Sequence, residues 1–240
     1  MYHSVTFGSM NSFSDWHLVP DTRPVIAMPE PKITTVEVPG GNGVIDLSES
    51  LTGYPIYNIR EGEMKFHVLN GHEDWHILYQ RIANYLHGRR RKVILEDDPD
   101  YYYMGSHKVA WESKNDGTWS DVTISYQYEP YKYYKQNSSE EYSGVFSNLS
   151  SGTHTYYSST NYFGYTPVMP EIQLKSVNGT VTVKLTNPEL GISNLTKTFT
   201  ASGTYKYSDF IFSNMSGTNN ITVTISGTGL VSFTFRRASL

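Results

Sequence analysis

The chain has 240 residues, enough for one large domain or two of ordinary size. Charged residues make up 18% and aromatic residues 14%, with 20 Tyr, a balance that favours strands over helical bundles. A net charge of -4 excludes a general attraction for DNA, RNA or anionic lipid, the lack of Cys excludes disulfides, thiolate zinc sites and cysteine nucleophiles, and no run approaches the roughly 20 apolar residues of a membrane span.

In chain order, the opening MYHSVTFGSMNSFSDW has neither a basic start nor an apolar run, so no signal peptide is expected. Val5 to Val38 reads as strands and loops broken by Pro20, Pro24, Pro29 and Pro31, because proline excludes helix interiors. Gly40, Gly41 and Gly43 mark a turn, and strand-like runs follow at Tyr54 to Arg60 and Met64 to Leu69, so a hairpin is expected in this region. One helix stands out over residues 74 to 87. Trp75, Leu78, Tyr79, Ile82 and Leu86 recur on one face, Asp74 is available as N-cap and Gly88 as the stop. The basic run Arg89 to Lys92 then meets the negative end of the helix dipole, and Val93 to Leu95 begins a strand. A turn at Asp97 and Asp98 before Pro99 leads to strands at Tyr101 to Trp111 and Val122 to Tyr128.

These elements predict a first domain over residues 1–137. Residues 135–160 are rich in Ser, Asn and Gly, and a linker is placed near 135–142. Residues 143–240 hold MPEIQLKS, TVTVKLT, KTFTASG, KYSDFIFS, NITVTIS and LVSFTFRR, alternating strands punctuated by Asn178-Gly179 and by Ser-Gly pairs. Regular strands without helices predict an antiparallel β-sandwich. The N-x-[ST] triplets at Asn148, Asn178, Asn194 and Asn220 read as polar turn and strand-end residues.

Few residues suggest chemistry. His72-Glu73-Asp74-Trp75-His76 satisfies H-E-x-x-H, in which two His on one helical face hold zinc and Glu acts as general base. With Asp74 as cap, however, His72 precedes the first turn and the required geometry does not form; Tyr79 and Ile82 also occupy the positions of the extended motif's Gly and third His. His72 and His76 therefore remain weak metal candidates, and no cofactor is expected. Glu96, Asp97, Asp98 and Asp100 offer a cation or carboxylate-pair site, against the plainer reading of a solvated turn. Arg89 to Lys92 offers a DNA-facing patch, against a solvated helix cap. Tyr156, Tyr157, Tyr162 and Tyr165, with Phe163, offer an aromatic platform for a sugar ring, against core or interface packing. No phosphate loop and no nucleophile elbow is present.

Several blocks, taken in order, resemble the distal tail protein (Dit) family of long-tailed, non-contractile phages and related prophages. They are NSFSDWHLVP, VPGGNGVIDLSESLTG, IYNIREGEMKF, YLHGRRRKVILEDDPDYYYMG and YEPYK, then NYFGYTPVMPEIQL and GTNNITVTISGTGLVSFTFRR. The resemblance covers nearly the whole chain. It implies a mainly β protein: an α+β N-terminal domain of β-sheets and one helix, and a C-terminal galectin-like or carbohydrate-binding-module-like sandwich. It further implies a non-enzymatic virion component at the tail tip, made in the host cytoplasm. There, N-terminal domains would close into a homo-hexameric hub ring joining the tail tube protein to a tail-associated lysin or fibre protein. The sandwich would carry receptor-binding proteins or touch host-surface saccharide, and DNA would pass through the lumen without specific binding. A ring needs a heterologous interface that closes, which exposed edges and hairpins can supply, and Pro39 to Asp46 is expected to shape a hairpin near it. Two further readings are a carbohydrate-binding protein acting through the sandwich and a zinc metallopeptidase at His72 and His76.

Overall fold

The computed structural model describes residues 2–71, 74–113, 120–135, 142–149, 151–157, 166–212, 220–236 and 238–240. The chain divides into two units, Met1–Thr34 with Ile56–Lys132, and Thr35–Pro55 with Tyr133–Leu240. The linker expected near 135–142 falls largely outside the described residues.

The first unit begins with β1 (Val5–Phe7), β2 (Met10–Asn11) and β3 (Leu18–Pro20). A two-stranded hairpin follows, β4 (Thr35–Glu37) and β5 (Val44–Asp46), which groups with the second unit. The first unit resumes with β6 (Arg60–Val68), α1 (Trp75–Leu86), β7 (Arg90–Leu95), β8 (Tyr101–Ser113) and β9 (Ser120–Tyr128). Its strands form an antiparallel sheet in the order β2-β1-β7-β8-β9-β6-β3.

Alternation along the strands builds the core. On β6, Met64, Phe66 and Val68 are buried while Glu63 is exposed and Lys65 and His67 lie on the same outer face as it; on β9, Val122, Ile124, Tyr126 and Tyr128 are buried. Helix α1 lays Trp75, Leu78, Ile82 and Leu86 into the same cluster, each worth about 2 kcal/mol of burial. At its start Asp74 makes no side-chain cap bond; instead Trp75 Nε1 donates to Asn70 O at 2.9 Å. At its end Gly88, with φ +69°, turns the chain, and its N–H donates to His107 O.

The structure corrects three local expectations. Tyr54 to Ile59 is not a strand: it pairs only through an isolated Pro31–Tyr57 bridge and flanking bonds, because Pro29 and Pro31 opposite it have no N–H to extend a ladder. The hairpin instead closes around the glycine turn itself, with Val36 opposite Ile45. The basic run is not a helix cap either, since Arg90 to Lys92 lies in β7.

The second unit contains β10 (Lys132–Tyr134, which straddles the division), β11 (Tyr142–Leu149), β12 (Gly152–Tyr157), β13 (Glu171–Asn187), β14 (Ile192–Phe199), β15 (Gly203–Lys206), β16 (Asn220–Phe235) and β17 (Ala238–Ser239). Here the Asn178-Gly179 signal does not end a strand. MPEIQLKS and TVTVKLT merge into β13, and NITVTIS and LVSFTFRR into β16, and the two run antiparallel throughout. Gly179 (φ +104°) faces Gly227 (φ +123°) at a point just past a register shift, so both long strands change direction together. Before that point β13 pairs with β15 and β16 with β11; beyond it β13 pairs with β14 and β16 with β12. Ile172, Leu174, Val231 and Phe233 from one half and Val181, Val183, Leu185 and Phe199 from the other join Phe210 and Phe212 in one buried cluster. One curled antiparallel sheet thus supplies both sides of the core, and the fold is mainly β, with α1 the single α-helix among the described residues.

Candidate interaction surface

A strand pair usually hides its apolar side chains on one face. The β4–β5 hairpin does not. Val36 and Val38, with Ile45 and Leu47 opposite, fall on the same alternating face, and their exposures are 47%, 42%, 51% and 39%. Leu51 beyond the hairpin is 97% exposed, and Val25, Met28 and Ile33 before it are also exposed. Within the hairpin, a row of exposed aliphatics on one face is the pattern of a candidate interaction surface. The sequence carries this signal in the V-x-V and I-x-L alternation on either side of the turn. The loop serves the pairing: Gly40 and Gly43 have φ +76° and +91°, and Ser48 donates from its N–H and hydroxyl to Asp46 Oδ1, at 2.8 and 2.5 Å. Those bonds hold the Asp46 carboxyl below its usual range.

Three polar clusters lie within the first unit, and none was visible in the sequence, because their members are far apart along the chain. Arg60 is 1% exposed: its Nε donates to Pro130 O at 2.7 Å, its Nη1 donates to Ala27 O at 2.8 Å, and its guanidinium lies 5.4 Å from the Tyr103 ring centre. Burial lowers its pKa. His107 is 3% exposed, with Nε2 3.1 Å from Tyr128 Oη, and burial pushes its pKa down. His67 bridges Asp121 and Asp21.

The sequence candidates fare differently. His72 lies outside the described residues; His76 is on α1, its ring packed edge-on at 4.7 Å against Trp111, which also stacks on Tyr79. Among the described residues no three His, Asp or Glu gather to hold a metal ion. The acidic turn is a set of ties: Glu96 accepts from Ser4 N, Asp97 accepts from Arg23 Nε at 2.8 Å and meets His3, and Asp98 accepts from Lys132 Nζ at 2.8 Å. Hydrogen bonding to His3 foremost holds the Asp97 carboxyl low. These contacts turn Glu96, Asp97 and Asp98 toward separate partners, so the structure does not bring them together as a carboxylate pair. Arg90 pairs with Glu129, Arg91 lies over the Tyr85 ring and Lys92 over Tyr102, which gives most of the basic run structural contacts. Tyr156 and Tyr157 sit in β12 opposite Ile221 and Asn220, their side chains outside the described part; Tyr162 and Tyr165 lie outside the described residues altogether. Among the described residues no helix is long and apolar enough to cross a membrane.

Neither a protein-family model nor a curated protein matches the chain. Among solved structures, the Dit protein (gp 19.1) of SPP1, described as a paradigm of the hub adsorption apparatus in phages infecting Gram-positive bacteria, superposes with a TM-score of 0.64 over 99% of both chains at 12% identity. The chain has the fold of that hub protein. At such low identity the agreement concerns fold alone, and it extends through both units. A carbohydrate-binding module of the β-sandwich superfamily aligns over 89% of this chain and 93% of its own at 10% identity, but the TM-score of 0.16 carries no argument.

Proposed function

We propose that the chain is a distal tail protein of a non-contractile, long-tailed phage or prophage. It is a structural subunit that forms a hexameric hub ring at the tail tip and joins the tail tube to the tail-associated lysin, fibre or receptor-binding proteins. The observation that carries this reading is the fold shared end to end with the SPP1 hub protein. The exposed aliphatic face of the β4–β5 hairpin supports it, because a closed ring needs a patch on each subunit that fits a different patch on the next. Covering Leu51, which is 97% exposed, would contribute about 1.5 to 3 kcal/mol, and covering the half-exposed Val36, Val38, Ile45 and Leu47 about half as much each. In this role the β-sandwich of the second unit, apart from the hairpin, presents the docking platform for accessory proteins.

Native mass spectrometry of the full chain tests the reading. Hexamers or stacked ring pairs are expected, and a chain that stays monomeric at high concentration overturns it. The double variant Val36→Lys, Ile45→Lys is expected to remain folded by circular dichroism while losing the hexamer, since both side chains are already exposed in the single chain.

A further inference from the structure

An imidazole ring has two nitrogens, and only its protonated form carries hydrogen on both. In the first unit both nitrogens of His67 face carboxylates. Nδ1 stands 2.6 Å from Asp121 Oδ1 and Nε2 stands 2.8 Å from Asp21 Oδ1. A neutral ring can donate to one of these and must then set a lone pair against a carboxylate oxygen at the other. The arrangement is therefore built for imidazolium.

Three elements meet at this ring. His67 lies on β6, on the face away from the core, with Asp121 of β9 directly opposite and Val19 of β3 on the other side. Asp21 follows the end of β3, and its N–H donates to Lys65 O at 2.9 Å. The charged groups facing the ring are Asp121, 1% exposed, Asp21, 44% exposed, and Lys65, whose Nζ lies 3.5 Å from Asp121 and 4.0 Å from Glu112 of β8. Glu63 and Arg23 line the groove beside Asp21, and Arg23 is engaged with Asp97. Strand β3 itself adds no titratable side chain.

We propose that His67 is a proton-operated clasp: when charged it ties the chain leaving β3 at Asp21 to the buried Asp121, and as pH rises it keeps Asp121 and releases Asp21. The choice of which bond survives follows from burial. Stranding the buried Asp121 costs more than returning the half-exposed Asp21 to water, so the neutral ring keeps its hydrogen on Nδ1, and the proton on Nε2 goes to solvent. Burial opposes the charged ring, but hydrogen bonds and charge from Asp121 and Asp21 outweigh it and raise the His67 pKa. Release leaves Asp21 held by its backbone bond to Lys65 alone before the Arg23–Asp97 pair, and so loosens the root of the segment that continues to the exposed Val25, Met28 and Ile33. The clasp rests on the first unit alone and stands or falls independently of the hub reading.

NMR titration of the full chain at constant salt tests it, following the His67 ring C–H resonances and the exchange of the Asp21 amide. The ring is expected to titrate with a midpoint above about 6.5. Corrected for its intrinsic pH dependence, Asp21 exchange should speed up about tenfold across that midpoint. Asp21→Asn should lower the midpoint and flatten the exchange profile. A midpoint at or below about 6.5, an Asp21 exchange rate without a step, or a step that survives in Asp21→Asn overturns the proposal.

Discussion

The two units solve the same problem, enclosing a β-core, with different materials. The first lays a helix on an open seven-strand path and buries Arg60, His107, Asp121, Ser12 and Ser120 along with its apolar residues. The second folds one sheet over a core dominated by aliphatic and phenyl side chains, with Thr166, Asn187 and Ser232 also buried, and in it two glycines face each other across the long strand pair. The first unit thus depends in part on long-range polar ties made by buried side chains. The second has a backbone contact, Gly179 against Gly227, with no room for a side chain.

All four Trp, at positions 16, 75, 111 and 119, fall within the segments of the first unit, so Trp fluorescence reports on that unit while far-UV circular dichroism reports on both. The largest effect is expected from Gly179→Ala. A Cβ there would run into Ser226 O at a φ unsuited to Ala, costing about 4 kcal/mol. The circular dichroism transition should fall while the Trp transition stays in place; an equal shift of both would show that the units unfold as one and break the contrast. Next, Ile82→Ala and Leu185→Ala should each cost about 3 kcal/mol by cavity formation, the first moving the Trp transition and the second not. Arg60→Met retains most of the volume but leaves Pro130 O and Ala27 O without their donors, for about 2 kcal/mol in urea unfolding.

The smallest effect is the most diagnostic. His67→Gln should cost the first unit about 1 kcal/mol below neutral pH and little in alkaline solution. The sign follows from the shifts. With the His67 pKa raised on folding, its contribution is complete below the unfolded value and is lost as pH rises through the folded one. The Asp121 pKa is lowered, because hydrogen bonding and charge from His67 and Lys65 overcome its burial, so its contribution is lost as pH falls through that depressed value. The buried His107, with its pKa lowered, makes total stability rise with pH in the same window, so the readout is the difference in unfolding free energy between wild type and His67→Gln, which should shrink as pH rises through the raised His67 value; a difference that grows into alkali would contradict the assignment.

Much of the fold could be read directly because it rests on local rules. The period of Trp75, Leu78, Ile82 and Leu86 located α1 to within a residue, and alternation located β8, β9 and the buried halves of β13 and β16. What could not be read required knowledge of the partner strand. Asn178-Gly179 has the chemistry of a tight turn, and only the presence of Gly227 across the ladder turns it into a bend in a continued strand. The strand expected at Tyr54 to Arg60 failed for the same reason: its partner is a proline segment. For the surface, the family resemblance led to the expectation of a hairpin at the glycine turn, and β4 and β5 form one there, with an exposed aliphatic face. Arg60 and His67 gave no signal, because a lone charged residue at a strand position is ordinarily solvated.

The hairpin also has to survive before anything covers it. Two free edges and a row of aliphatics would invite newly made copies to stack strand on strand, the route to aggregation. Its other face carries Glu37 and Asp46 together with Val44, which is 56% exposed, and the bonds from Ser48 hold the Asp46 carboxyl below its usual range. Two hairpins brought edge to edge would set these carboxylates against one another, whereas a partner approaching the aliphatic face would not meet them. The same twelve-residue element thus exposes aliphatics on both faces but sets its carboxylates on only one, a charge asymmetry that works against uncontrolled growth of sheets.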